Sequence, residues 1–303
     1  MKHRLDLGAL PELGAPEIIE APLEGAVDRV RGERGLYFRA RGGVYGPGPE
    51  RLFADRRAGA PWPFAGGVGL RWGSVVRFAF DDGEHVDVPG DVFTLASNAL
   101  VGLVLDRRAR VLRRVDLTSR EARTIGEVAG GLERQVPGVL SLDPTGTRAL
   151  VLDADTSGQI TMSELNLASG ASRIVHGPLP PRSWIVGAFG PHGERVLLEQ
   201  RFGPTRARLI HQSRTSHVLF ELTVAQPMLR PAFLRRDVIA VVLSTEPLGL
   251  ATYGPRDLFL VAIPGGTRRK LTTTGAVCGH PIVRSGELEV DAAEGLMRWR
   301  CSP

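Results

Sequence analysis

The sequence contains little cysteine and almost no lysine. Cys278 and Cys301 are the only cysteines among 303 residues, and they form neither a CxxC pair nor another metal-ligand spacing. A disulfide scaffold and a cysteine-rich metal site are therefore not indicated. Lys2 and Lys270 are the only lysines. The phosphate-binding lysine of a P-loop is thus missing, and no Walker sequence occurs.

Long apolar segments are also missing. The chain has no run of about 18 apolar residues, and residues 1–16 contain no apolar stretch of signal-peptide length. These absences predict a cytoplasmic protein that does not insert into a membrane.

The common catalytic motifs are absent as well. The sequence has no G-x-S-x-G, S-x-x-K or H-E-x-x-H motif. Residues 67–73 miss the dinucleotide-binding fingerprint because Trp72 stands at the third glycine position. We therefore expect no cofactor and favour a non-catalytic protein. An enzyme with sequence-distant catalytic residues is the alternative.

The net charge of +5 comes from 38 basic residues, nearly all arginine, against 33 acidic ones. Because the acidic residues are almost as numerous and no long basic run occurs, we expect no nucleic-acid binding. Arginine is the side chain best suited to bidentate recognition of carboxylates. The composition favours a protein or peptide partner, including an acidic one.

A strand-turn-strand repeat is the strongest pattern in the chain. Residues 140–153 and 188–200 share the form strand, Pro-x-Gly turn, apolar strand, at an offset of 47 residues. The same frame reaches residues 93–106 and 230–243, and each unit continues with two further short strands. Four strands per repeat at this period are typical of a β-propeller.

The turn Asp143-Pro-Thr-Gly146 and the later segment Leu165-Asn-Leu-Ala-Ser-Gly170 resemble the blade signature of TolB-type, WD-repeat-like bacterial β-propellers. The resemblance covers residues 91–271. It implies an all-β propeller fold. The Trp-Asp dipeptide of true WD repeats is absent.

The repeats predict a single propeller domain over residues 1–303 with seven four-stranded blades, and six blades are the alternative. The last repeat supplies only three strands. The segment Ala15 to Ala21, within an N-terminal segment of residues 1–25, is an unassigned apolar strand. We expect it to pair beside Leu296 to Cys301 and to close the ring, which would leave no open sheet edge.

One segment matches a calcium-binding loop. Asp153, Asp155 and Ser157 occupy the first, third and fifth positions, and Glu164 occupies the twelfth. If residues 159–164 form a strand, which rises about 3.3 Å per residue, Glu164 lies too far from the turn to bind the same ion as Asp153 and Asp155. The sequence therefore favours a plain hairpin, with no metal expected and a partial calcium site as the alternative.

Cys278 and Cys301 are predicted in the first and third strands of the last blade, about 9.5 Å apart, so we expect free thiols. The histidines, which include His192, His211 and His217, are interpreted as turn or surface residues.

The longest predicted loops share one propeller face and contain many arginines. Loops on a rigid scaffold usually carry binding residues, and arginine and aromatic side chains are enriched at interfaces. We therefore expect an interaction module or scaffold that docks a protein or peptide through this face. Its candidate residues are Arg107, Arg108, Arg110, Trp184, Arg201, Arg206, Tyr253 and Arg256. The alternatives are a hydrolase- or lyase-type propeller enzyme with its site at the channel mouth, and a structural subunit of a larger assembly.

Overall fold

The computed structural model describes residues 10–47, 51–55, 58–96, 100–127, 140–155, 157–181, 183–201, 205–244, 246 and 255–301. The regular elements in these ranges are β-strands, and none of the ranges contains a helix able to cross a membrane. The chain divides into two compact units. The first unit comprises residues 19–181 with 293–296, and the second comprises residues 1–18, 182–292 and 297–303.

The first unit holds four sheets of four strands each, and the strands follow one another in sequence order. Sheet 1 contains β2 Val27–Gly32, β3 Gly35–Ala40, β4 Gly43–Tyr45 and β5 Arg51–Phe53; sheet 2 contains β6 Trp62–Phe64, β7 Gly67–Trp72, β8 Val75–Phe80 and β9 His85–Pro89; sheet 3 contains β10 Val92–Leu95, β11 Val101–Asp106, β12 Val111–Asp116 and β13 Glu121–Glu127; sheet 4 contains β14 Leu140–Leu142, β15 Arg148–Ala154, β16 Ile160–Asn166 and β17 Ser172–Leu179.

The second unit holds three further sheets. Sheet 5 contains β18 Trp184–Phe189, β19 Arg195–Arg201, β20 Arg206–Gln212 and β21 Ser216–Leu222; sheet 6 contains β22 Ala232–Arg235, β23 Val238–Ser244, β24 Arg256–Ala262 and β25 Arg268–Lys270; sheet 7 contains β26 Ile282–Arg284, β27 Glu287–Ala292 and β28 Gly295–Arg300. The fourth strand of sheet 7 is β1, Glu17–Ile19, which lies beside β28.

Seven four-stranded antiparallel sheets make this fold a seven-bladed β-propeller. The predicted fold class is confirmed, and the six-bladed alternative is wrong. The expected pairing of the N-terminal strand with the last blade is also confirmed, because the strand order of sheet 7 is β1-β28-β27-β26.

Apolar side chains fill the space between neighbouring sheets within each unit. Leu103 and Leu112 of sheet 3 belong to one buried cluster with Leu140 and Val151 of sheet 4. All seven residues of β23 are buried. A strand that is covered on both faces has a nearly continuous run of apolar residues in the sequence. Each fully buried aliphatic side chain contributes about 1.5–3 kcal/mol to the free energy of folding.

The Pro-x-Gly turn of sheet 4 is held by its aspartate. Asp143 precedes β15, and its Oδ1 accepts hydrogen bonds from the backbone N–H of Thr147 at 2.7 Å and of Arg148 at 2.9 Å. Gly146 has φ +68°, a left-handed conformation that glycine adopts without strain. This local structure explains the Asp-Pro-Thr-Gly motif at this turn.

Candidate functional site

One end of the first unit carries the turns between the second and third strands of its sheets. We call this end the loop face of the first unit, and define it by residues 41–42, 73–74, 107–110, 155 and 157–159. Because the strands alternate in direction, the segment before each first strand lies at the same end. Hydrogen bonds between these segments and the turns confirm the arrangement in sheets 2 and 3.

A small cavity opens on this loop face beside sheet 1. Its volume is about 180 Å³, and its walls are mostly glycine, alanine and valine. Three charged side chains also line it, namely Arg39, Arg41 and Asp55. Arg41 is exposed in the two-residue turn with Gly42, and both residues have positive φ, as this hairpin turn requires. The cavity is large enough for a single side chain of a partner.

Asp55, which lines this cavity, is held by Trp72. Its indole Nε1 donates a hydrogen bond to Asp55 Oδ2 at 2.7 Å. The guanidinium carbon of Arg77 lies 3.8 Å from the centroid of the Trp72 ring, a cation–π contact. Arg77 in turn donates two hydrogen bonds to Asp87, at 2.7 and 2.6 Å. This network holds Trp72 in one orientation.

The predicted residue Arg107 has a local partner. Its Nε donates to Asp91 Oδ2 at 2.7 Å, and its backbone N–H donates to Asp91 Oδ1 at 3.3 Å. Only 11% of the Arg107 side chain is exposed. Arg107 therefore connects the second turn of sheet 3 to the segment before β10, and it does not extend into solvent.

Arg108 and Arg110 are both exposed on the same turn. Arg110 has φ +58° and interacts electrostatically with Asp153 of sheet 4. Burial raises the pKa of Asp153, while the Ala154 N–H and the Arg110 guanidinium act in the opposite direction. The structure thus brings Arg110 close to Asp153. In the sequence Arg110 was a candidate for partner binding, whereas Asp153 was a candidate for calcium binding.

The calcium-like segment forms a hairpin. Asp155 Oδ1 accepts hydrogen bonds from the Ser157 N–H at 2.9 Å and the Ser157 hydroxyl at 2.6 Å, so this carboxylate caps its own turn. Glu164 lies on β16 and bonds to Arg148 and Arg173 at 3.4 and 3.3 Å. In the described residues no three His, Cys, Asp or Glu side chains converge as a metal-binding group.

The remaining predicted residues belong to the second unit. Trp184 is the first residue of β18 and is buried, with 4% of its surface exposed. Arg201 pairs with Glu199, and Arg206 pairs with Glu221 at 3.0 Å. Arg256 is half-buried at the start of β24. Tyr253 lies outside the described residues.

His280 and Arg230 form a half-buried contact that the sequence did not reveal. The Arg230 backbone N–H donates to His280 Nδ1 at 2.9 Å, which joins the segments before β22 and β26. Burial, reinforced by the charge of Arg230, lowers the pKa of His280 to about 3. Burial also lowers the pKa of Arg230 to about 10. At neutral pH His280 is therefore an uncharged acceptor that supports the fold.

The two cysteines are free thiols, as expected. Cys278 is exposed before β26, and its Sγ lies 3.5 Å from Asp291 Oδ2. Cys301 is half-buried directly after β28, and burial raises the pKa of its thiol.

Sequence reasoning missed Arg41, Asp55 and Trp72. The Arg41-Gly42 pair between two apolar strands was an available hairpin signal. The hydrogen bond between Asp55 and Trp72 spans 17 residues and joins the segment after sheet 1 to sheet 2. No local sequence pattern predicts such a contact.

Known structures place this architecture among the β-propellers. The chain is similar to virginiamycin B lyase from Staphylococcus aureus, with a TM-score of 0.57, 9% identity and coverage of 94% of this chain and 98% of that chain. It is also similar to a putative TolB from Agrobacterium tumefaciens, with a TM-score of 0.51, 10% identity and coverage of 74% and 83%.

The chain also matches TolB from Acinetobacter baumannii, with a TM-score of 0.45 and 14% identity. The match covers 74% of this chain and 59% of that protein. No protein-family model and no curated sequence matches. The similar structures include TolB-type and other propellers, in agreement with the resemblance of the blade motifs. At these identities the similarity shows the fold alone.

Proposed function

We propose that this β-propeller is a binding protein that recognises an acidic protein or peptide through the loop face of the first unit. The observation that carries the proposal is the cavity beside sheet 1, together with the exposed arginines near it and on the neighbouring turns. Propeller sheets form a rigid support, and turns on a rigid support are a usual location for binding residues.

The charges on this face separate into two groups. Arg39 and Arg107 are neutralised by Asp28 and Asp91, respectively, so they hold the surface together. Arg41 and Arg108 are exposed, and neither has an ion pair within the described parts of the chain. These two guanidinium groups can therefore bind a partner carboxylate without first breaking an internal pair.

The cavity adds shape to this charge. Its glycine and alanine walls leave room for one side chain, and Arg41 lines it together with Arg39 and Asp55. An acidic side chain placed there would contact Arg41 while the rest of a peptide crosses the turns toward Arg108 and Arg110. Arginine anchors around a small pocket are typical of interface residues that dominate binding energy.

The test is a charge reversal with a matched control. A loop-face variant carries Arg41→Glu, Arg108→Glu and Arg110→Glu. A control variant carries Arg123→Glu, Arg214→Glu and Arg236→Glu, which are also exposed but lie on an outer strand and on other turns. Both variants change the net charge equally.

Wild type, control and loop-face proteins would each be used to capture partners from an extract of the organism that encodes the chain. A captured partner would then be purified and its affinity measured directly at two salt concentrations. We expect wild type and control to bind alike, and the loop-face variant to lose binding. Equal binding by all three proteins would refute the proposed face.

A further inference from the structure

Two histidines lie opposite each other in sheet 5. His211 on β20 and His217 on β21 are direct partners in the antiparallel register. Side chains at directly opposite positions project from the same side of a sheet, with Cβ atoms about 4.5–5.5 Å apart. The two imidazole rings therefore lie side by side.

The surroundings of the two rings restrict their orientation. His211 is half-buried, and its ring meets Phe233 edge to face at a centroid distance of 6.5 Å. His217 is exposed, and its Nε2 shares a 2.7 Å hydrogen bond with Thr215 Oγ1. When Nε2 donates in this bond, Nδ1 keeps its lone pair, and an outer hydrogen bond of this kind is what orients a ligating histidine.

A carboxylate lies near the pair. Glu194 follows the turn Gly190 to Gly193, and its Oε2 accepts a hydrogen bond from the His192 N–H at 2.9 Å. Its Oε1 is buried without a hydrogen-bond partner in the part of the chain that the structure describes. The charge of Glu194 acts on the His211 imidazole. A buried carboxylate oxygen without a partner is costly, and a nearby cation would offset that cost.

We propose that His211 and His217 bind one divalent transition-metal ion of the zinc or nickel class. The two imidazoles supply two nitrogen ligands, and water completes the coordination. Glu194 contributes negative charge without acting as a ligand, consistent with the lack of a three-residue group in the described residues. Imidazole suits zinc and nickel, whereas closed structural zinc sites use four protein ligands. The site is therefore an exchangeable one.

The test uses the full chain purified without a histidine tag. Zinc chloride and nickel chloride would be titrated by calorimetry at neutral pH in a buffer that does not bind metals. We expect saturable binding of one ion per chain. Because His217 is exposed, His217→Ala should leave the fold intact and weaken binding roughly tenfold or more.

His85→Ala and His192→Ala are the matched controls, since both histidines are exposed and lie outside the pair. We expect them to bind as wild type does. His211→Asn gives a second test, with circular dichroism as the check of folding. Paramagnetic nickel should also broaden the NMR signals of both imidazoles. An absence of saturable binding, or equal affinity in His217→Ala, would overturn the proposal.

Discussion

The side chain of Arg298 on β28 binds the carboxylate of Glu17 on β1, with Nε donating to Oε2 at 3.1 Å across 281 residues of sequence. The carboxylate is half-exposed, at 54%. Exposed ion pairs contribute about 0–1 kcal/mol, so this contact helps to align β1 but is not its main attachment. The attachment comes from strand pairing and from Leu10 and Leu13, which pack against the core of the second unit.

Removing residues 1–22 should therefore be far more damaging than removing the ion pair. We expect the truncation to lower the free energy of unfolding by several kcal/mol and to promote aggregation through the unpaired edge of β28. Glu17→Gln should cost less than about 1 kcal/mol. Urea denaturation and light scattering of both variants measure these effects. An unchanged stability of the truncated protein would show that β1 is dispensable.

Two adjacent arginines should differ in their contribution to stability. Arg107→Ala removes the side-chain hydrogen bonds to Asp91 but keeps the bond from the backbone N–H, and it should cost about 1.5–3 kcal/mol. Arg108→Ala changes an exposed side chain and should stay within about 0.5 kcal/mol of wild type. Thermal and urea unfolding of the two variants compare them directly. Equal effects would mean that the Asp91 contact does not stabilise the turn.

The turn aspartate Asp143 should make stability depend on acidic pH. Burial alone would raise its pKa, but hydrogen bonds from Arg148, Thr145 and Thr147 outweigh burial and lower it. The stabilisation is therefore complete above the unfolded-state pKa of about 3.9 and is lost as pH falls through the lower folded-state value.

We expect Asp143→Asn to be less stable than wild type at neutral pH, with the difference shrinking in acid. Asp153→Asn is the opposing control. Because burial raises the pKa of Asp153, its ionised form destabilises the fold, so removing that charge should not reduce stability at neutral pH. Urea denaturation from neutral pH down through the acid range tests both signs. A constant difference between Asp143→Asn and wild type at every pH would contradict the assignment.

The two thiols should react at different rates in the native protein. Cys278 is exposed, whereas Cys301 is half-buried and has a raised pKa, so less reactive thiolate is present. We expect iodoacetamide to label Cys278 first, and both residues to be labelled together in urea. Mass spectrometry of Cys278→Ser and Cys301→Ser assigns each rate. Faster native labelling of Cys301 would be inconsistent with its burial.

The Trp72–Asp55 contact gives a further test. Trp72→Phe removes a hydrogen bond to a carboxylate and part of the stacking surface of Arg77, and we expect a loss of about 1.5–3 kcal/mol. A double-mutant cycle with Asp55→Ala, which removes the acceptor, separates the hydrogen bond from the packing. Additive effects in this cycle would show that the two residues are not coupled.

Much of the fold was predictable because its repeats are local. The turn held by Asp143, the apolar strand β23 and the closing strand β1 all follow from short patterns of turn residues and apolar residues. The strands of sheets 1 and 2 are harder to recognise in the sequence, because β4 and β6 have only three residues each. β6 even contains Pro63, which argues against a strand in a sequence pattern.

The candidate site was harder to predict, because side-chain partners depend on residues far along the chain. Arg107 and Arg108 are neighbours of the same type, yet only the position of Asp91 makes one of them structural. Trp184 was expected in an exposed loop, and it lies in the core because β18 begins at that residue. The presence of arginine and aromatic residues in a sequence therefore does not distinguish a binding surface from contacts that stabilise the fold.

The pairing of β1 with β28 also sets an order for folding during synthesis. β1 is made before every other described strand, but its partner follows 281 residues later. At about 5–20 residues per second, β1 must stay unpaired for roughly 15–60 s while the other blades are made. An unpaired strand can form hydrogen bonds with the edge of the wrong sheet. This risk is limited because β1 is short and is flanked by Pro16 and Pro22, which lack a backbone N–H donor. Sheet 7 is thus the one described blade whose first-made strand must wait for all the others.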